Sequence, residues 1–305
     1  RWLSERRLLH AHNYCMVLPG PEAQQLATYI GWLMHRTWGG IVAGVLFVMP
    51  SLILLIALSW VYLVFGETPL VAGLFYGIKP AVTAIVFQAA HRIGSRVLKN
   101  NLLWGVAIFS FLASAVFNIP FPLIVAAAAL FGYFGGRYSP GKFSVGGGHS
   151  ASEKQHAPAL IDDHTPTPKH ALFTWSRFAT VSIIGLLLWA LPITVLFLIL
   201  GWDDTLTQMS WFFTKAALLT FGGAYAVLPY VYQGAVETHQ WLSGPQMIDG
   251  LALGETTPGP LIMVVAFVGF VGAWTHAIFG PDALFAAGVA AAAVVTFFTF
   301  LPSFL

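Results

Sequence analysis

Two Pro-Gly-Pro triplets, Pro19-Gly20-Pro21 and Pro258-Gly259-Pro260, are the residues of this chain best suited to chemistry, because each interrupts a largely apolar segment. Each proline removes a backbone donor and clashes with the turn before it, while the glycine lets the backbone approach a neighbour. A helix must break there and restart. The restarted end presents free N–H groups and the positive end of the helix dipole at membrane depth, and such an end is a ready anion site. Short polar side chains stand beside both triplets: Gln24 and Gln25 after the first, Thr256 and Thr257 before the second. One proline would be read as a packing kink; a doubled motif in two places favours binding.

Ionisable residues inside apolar segments are costly and usually functional. Lys79, in Gly77-Ile-Lys-Pro80, and Lys215, shortly before Phe221-Gly222-Gly223, suit an anionic substrate. Glu22, directly after the first triplet, and Glu255, directly before Thr256, suit proton coupling. Lys215 is equally well read as snorkelling to an interface. Phe221-Gly222-Gly223 permits close helix approach or local unwinding. Cys15 and His12 lie on the approach to the first triplet, and Cys15 is read as a small buried residue. No Walker motif, nucleophile elbow, HExxH or CxxC occurs, so ATP-driven transport, hydrolysis, a metal centre and a cofactor all lack support.

The elements that position these residues follow from composition. Of 305 residues, 57% are hydrophobic and 9% charged, and the mean hydropathy is +0.76. A soluble domain carries about a quarter of its residues as charged groups, so a water-facing surface cannot be covered. A cytosolic enzyme and a nucleic-acid-binding module are excluded, and the net charge of +2 is no phosphate-binding signature. One cysteine excludes a disulfide framework.

About 20 apolar residues cross a bilayer core. Such runs lie near 40–65, 70–90, 102–118, 121–136, 178–200, 206–235 and 284–305, and the more polar segments 8–34 and 246–274 each carry a Pro-Gly-Pro at their centre. The expected fold is an all-α polytopic membrane protein with about nine transmembrane helices. No N-terminal signal peptide is visible, because the chain opens on Arg1-Trp-Leu-Ser-Glu-Arg-Arg.

Residues 138–177 are rich in Gly, Ser, Pro and His and lack apolar periodicity, which reads as a loosely ordered linker between two membrane halves, 1–137 and 178–305. Its four histidines, His149, His156, His164 and His170, lack metal-ligand spacing. Nine of the fourteen basic residues (Arg36, Arg92, Arg96, Lys99, Arg137, Lys142, Lys154, Lys169 and Arg177) fall on one side of the membrane, whereas the opposite loops carry none. The positive-inside rule makes the linker side cytoplasmic.

The chain also repeats itself. Trp2-Leu-Ser4 recurs as Trp241-Leu-Ser243, the first proline of each triplet follows its Trp by seventeen residues, and Met49-Pro-Ser51 is matched by Leu301-Pro-Ser303. The offset grows from 239 to 252 residues, which places an insertion of about thirteen in the second copy near Thr275–Asp282. Seven crossings between Trp2 and Trp241 would point the copies in opposite directions, if both Pro-Gly-Pro segments cross fully. Inverted repeats with broken helices are a recurrent plan of secondary transporters, with the substrate bound near the midplane.

Phe221-Gly-Gly-Ala-Tyr-Ala-Val-Leu-Pro229, Trp241, Ala252-Leu-Gly-Glu-Thr-Thr-Pro-Gly-Pro-Leu261 and Phe267-Val-Gly-Phe270 closely resemble the second half of chromate ion transporters of the long, two-domain type. Trp2-Leu-Ser4, Leu18-Pro-Gly-Pro-Glu-Ala-Gln-Gln-Leu26, Ala27-Thr-Tyr-Ile-Gly31 and Gly77-Ile-Lys-Pro-Ala-Val82 resemble the first half. The resemblance implies a secondary transporter of the bacterial inner membrane that exports chromate, confers resistance to it and draws on the proton-motive force. Chromate is the implied partner, sulfate its natural competitor, and a homodimer is left open. Against the family pattern, no Phe-Gly-Gly helix precedes Trp2 and the chain stops at Leu301-Pro-Ser-Phe-Leu305, so it is expected to be a fragment truncated at both ends. A sulfate or other oxyanion carrier, a membrane-bound oxyanion reductase (for which no cofactor site is visible) and a non-transporting scaffold are the other readings.

Overall fold

A computed structural model describes residues 2–117, 119–138, 161–162, 165–166, 168–220 and 223–305. They form an all-α membrane protein. Its helices are α1 (Glu5–Val17), α2 (Glu22–Phe65), α3 (Pro69–Val97), α4 (Asn101–Ala115), α5 (Phe121–Tyr138), α6 (Trp175–Leu200), α7 (Thr205–Leu218), α8 (Leu228–Tyr232, continued by a π turn to Thr238), α9 (Gly244–Thr256), α10 (Val264–Thr275, led by a 3-10 turn from Leu261) and α11 (Leu284–Phe300). Among the described residues, five helices are long and apolar enough to cross a bilayer: Glu22–Phe65, Pro69–Ser95, Phe121–Tyr138, Trp175–Leu200 and Pro281–Phe304. Large apolar side chains such as Leu70, Leu198 and Ile199 stand exposed on them, an arrangement that is favourable only against lipid.

The chain divides into two compact units, Arg1–Tyr76 with Ala157–Leu305, and Gly77–His156. The second unit holds the latter part of α3 with α4 and α5, and α4 is capped by the Asn100 side chain accepting from the Leu103 N–H. The first unit holds the core, in which Phe213, Trp241, Met247, Phe267, Phe270 and Phe298 are fully enclosed.

The segments around the triplets do not cross the membrane as single broken helices; they double back. In α9 and α10 a Cβ on Gly254 would lie 3.4 Å from Val264, one on Gly250 would strike the Phe267 ring, and one on Gly272 would lie 2.9 Å from the Trp241 Cβ. Contacts that move outward on both sides of Pro258-Gly-Pro260 define an antiparallel hairpin. The first copy does the same, because Leu3 and Leu33, at the far ends of α1 and the first part of α2, share one cluster with Ile161. Each ascending arm has 13 residues, about 20 Å of helix, which reaches into a core of roughly 30 Å but does not traverse it. Segment 205–238 is a third hairpin: the Phe212 ring stacks on Tyr230 at 4.9 Å and fills the space against Gly234.

The reversals correct the expected crossings: 8–34, 206–235 and 246–274 double back, and the expected span 102–118 is the 15-residue α4, which is not among the five helices long enough to cross. The reversals also give the repeated serines a task. The Ser4 side chain accepts from the Arg7 N–H and caps α1; Ser243 accepts from the Gln246 N–H and caps α9 in a capping box.

α2 itself is two antiparallel helices. At 44 residues a straight helix would measure about 66 Å, but His35 and Arg36 leave helical geometry and Arg36 takes φ +57°. Gly31 then packs against the Gly39 carbonyl, and a Cβ on Gly40 would lie 3.2 Å from the Thr28 carbonyl oxygen. In the second copy the matching reversal is the looser stretch 276–283 between α10 and α11, the site of the expected insertion. Of the linker, residues 139–160, 163–164 and 167 lie outside the described residues, including His149, His156 and His164. The described part rests on the first hairpin: Ile161 pairs with Leu3, Arg7 donates to the Thr165 carbonyl, and His170 meets the Trp32 carbonyl at 3.1 Å.

The reversal at His35-Arg36 is testable by labelling. With Cys15 replaced by Ala, a single cysteine at position 36 will react rapidly with a membrane-impermeant maleimide, and one at position 44, buried against Phe304, will not. Protection at position 36 would refute the hairpin.

Candidate functional site

Three helix breaks meet inside the first unit. The first is Leu18–Pro21, where Gly20 adopts φ +119°; the second is Pro258–Pro260, where Gly259 adopts φ +141°. The third lies at the end of α7, where Gly223 has φ +122°; Phe221 and Gly222 lie outside the described residues. Glycine is the residue that accepts these angles. Because lipid cannot satisfy broken backbone, such breaks persist only where protein or a polar cavity surrounds them.

Specific contacts join the tips. The Gly20 N–H donates to the Thr220 carbonyl at 2.9 Å. The Glu22 carboxylate faces Gly223, with both oxygens under 4 Å from where a Cβ would stand. The Tyr225 hydroxyl donates to Glu255 Oε1 at 2.7 Å, tying the third tip to the second. Gln25 Nε2 donates to the Pro19 carbonyl at 2.8 Å and so fixes the first turn, while Gln24 Nε2 donates to Thr28 Oγ1. Pro21 supplies no side-chain cap to α2, leaving the first N–H groups of that helix without intrahelical partners. Glu22 stands in that first turn, where a negative charge is favoured.

The structure thus brings together Pro19, Gly20, Pro21, Glu22, Gln24, Gln25, Gly223, Glu255, Thr256, Thr257, Pro258, Gly259 and Pro260. Thr256 and Thr257 donate their hydroxyl protons back to the carbonyls of Ala252, Leu253 and Gly254, so as placed they offer oxygen lone pairs rather than donors. Lys215 is exposed on α7, its Nζ 5.8 Å from the centre of the Trp211 ring. Lys79 belongs to the second unit, half-buried in α3 one residue before Pro80.

Two serines and one aspartate were not singled out as site residues from the sequence. Ser51 and Ser303 touch the two triplet glycines across the repeat: a Cβ on Gly20 would lie 2.6 Å from Ser303 Oγ, and one on Gly259 would lie 2.6 Å from the Ser51 Cβ. The contact is reciprocal, first copy on second and second on first, as a two-fold relation between the repeats requires. Asp249, 5% exposed in α9, accepts from the Tyr62 hydroxyl at 3.0 Å. A carboxylate within an apolar segment was the available signal.

A family model described as Chromate transporter matches residues 1–133 and 207–305. The chain belongs to the chromate transporter family. It is 32% identical over 308 residues to a chromate transport protein of Pseudomonas aeruginosa, covering all of this chain and 63% of that one. It is 28% identical over 306 residues to a chromate transport protein of Cupriavidus metallidurans, covering all of this chain and 64% of the relative. A probable chromate transport protein of Synechococcus elongatus is 27% identical over 273 residues, 89% of this chain and 60% of its own length. The chain therefore spans under two thirds of these relatives. No solved structure matches it. The family and the apolar helices make this a multi-pass membrane protein, and the regions matched to the family contain all three breaks.

Both triplet glycines should resist substitution. Gly20→Ala and Gly259→Ala each force a side chain into a φ that disfavours it, at a cost of about 1–3 kcal/mol, and each drives a methyl group onto a serine. The expected result is lower thermal stability in detergent and loss of substrate movement in both variants. Wild-type behaviour from either would refute the close packing of the tips.

Proposed function

We propose that the chain is the greater part of a secondary transporter that exports chromate across the bacterial inner membrane and so confers resistance to it. The observation that carries this reading is the meeting of three helix breaks, each built on a positive-φ glycine, in a family of chromate transport proteins. A helix start without a side-chain cap offers backbone donors to an anion without a counter-charge. Chromate and sulfate are both tetrahedral dianions of similar size, so sulfate is the competitor to test, and an uptake carrier for such oxyanions is the second reading.

The proposed organisation is a first half over 1–137, a cytoplasmic linker over 138–177 and a second half over 178–305, with the halves inverted in the membrane. The repeated capped arms and the reciprocal glycine–serine contacts support the inversion. The basic loops support the cytoplasmic linker. Proton coupling would use Glu22 and Glu255, because a carboxylate beside an anion site favours the anion most when protonated. Lys79 and Lys215 are the proposed cationic contributors, and Phe221 and Gly222 complete the third break.

Efflux of radiolabelled chromate from cells expressing the chain, with and without a protonophore and with excess sulfate, tests the proposal. Protonophore-sensitive efflux little affected by sulfate is expected, and Lys79→Ala should reduce it about tenfold. Efflux abolished by sulfate would recast the protein as a general oxyanion carrier, and no efflux would overturn transport by this chain.

A further inference from the structure

Hydroxyl groups on membrane helices usually hydrogen-bond to the carbonyl one turn earlier, and several buried ones in this protein do so. Ser59 donates to Leu55 at 2.6 Å, Ser210 to Leu206, Thr214 to Ser210 and Thr299 to Val295 at 2.7 Å, and Thr220 to Ala216 likewise. Thr207 and Thr296 do not, and neither do Ser51 and Ser303. The two serine Oγ atoms are buried and have no hydrogen-bond partner among the described residues, although the side chains are only 1% and 6% exposed. Both follow a proline, Pro50 and Pro302, and each is aimed at the triplet glycine of the other copy.

The same neighbourhood holds three orphaned acceptors, Glu22 Oε2, Gln24 Oε1 and Gln25 Oε1, on the first turn after Pro21. An unmet hydroxyl proton beside a helix break that presents backbone N–H groups is half of a hydrogen bond whose other half must be an acceptor. A fully ionised tetrahedral oxyanion has acceptors alone, distributed on all sides, and so matches donors arriving from opposite copies of a repeat.

We propose that Ser51 and Ser303 are a two-fold-related pair of substrate ligands that donate their hydroxyl protons to one tetrahedral dianion held between the two Pro-Gly-Pro turns. This rests on the oxyanion-carrier reading above and adds to it the residues that recognise the oxygen shell. Because hydroxyls read oxygens and not the central atom, the pair contributes equally to holding chromate and sulfate and leaves any preference between them to the rest of the site.

The test is equilibrium binding of radiolabelled chromate, and of sulfate, to the detergent-purified chain and to Ser51→Ala, Ser303→Ala and the double variant, alongside their melting temperatures. A hydrogen bond to a charged ligand is lost in each single variant, so binding should weaken about tenfold in each and about a hundredfold in the double. Both anions should lose affinity by the same factor. The melting temperature without ligand should hold or rise, because a buried unmet hydroxyl has been removed. Thr207→Ala deletes another buried unpartnered hydroxyl away from the turns, and should change stability in the same direction with binding unaltered.

Serine variants that bind like wild type would overturn the pair while leaving the carrier reading intact. Serine variants that lose binding only in step with lost stability would overturn it as well, assigning the serines to packing. Wild-type protein that binds neither anion would overturn the pair and the carrier reading together.

Discussion

A backbone that stops hydrogen-bonding to itself inside a bilayer must be enclosed by protein, because lipid offers it nothing. This constraint organises the first unit. Pro19-Gly20-Pro21 and Pro258-Gly259-Pro260 cannot continue a helix, so each chain segment turns back, and the exposed tip is surrounded by whatever can meet its groups. Thr220 takes the N–H of Gly20, Gln25 takes the carbonyl of Pro19, and Tyr225 secures Glu255. The aromatic packing of Phe212, Phe213 and Trp241 behind the third hairpin holds that enclosure together, with the Phe213 and Trp241 rings stacked at 6.1 Å.

Stability and polarity are opposed at this centre. Every unmet buried hydroxyl or amide oxygen costs about 1–3 kcal/mol, and Gln24, Gln25, Ser51 and Ser303 contribute such atoms within a small region. Close-packed apolar side chains would be a more favourable filling. A site that binds a polar species through pre-placed groups carries this cost when empty.

Much of this was legible in the sequence. Composition and apolar runs specify membrane helices, the triplets specify breaks, and the recurring Trp-Leu-Ser motif marks the two capped arms. The sense of the turn was not legible: proline ends a helix without saying whether the chain goes forward or back. That direction is set by contacts distant in sequence, such as Gly254 on Val264 and Leu3 beside Leu33. The reversal at His35-Arg36 has no glycine or proline at its apex; the glycines that permit it, Gly31 and Gly39, flank it and act by close approach. Ser51 and Ser303 looked like features of a repeat, and only their positions against Gly259 and Gly20 set them apart from the hydroxyls that bond to their own helices.

The crossed glycine–serine contacts tie the halves of the molecule together in evolutionary time. A larger residue at position 20 has to be answered at position 303, and one at 259 has to be answered at 51. Gene duplication ordinarily frees two copies to diverge. Here each copy holds the surface against which the other's turn is fitted, so drift in one half is checked by the other and compensating pairs of substitutions must lie 283 and 208 residues apart.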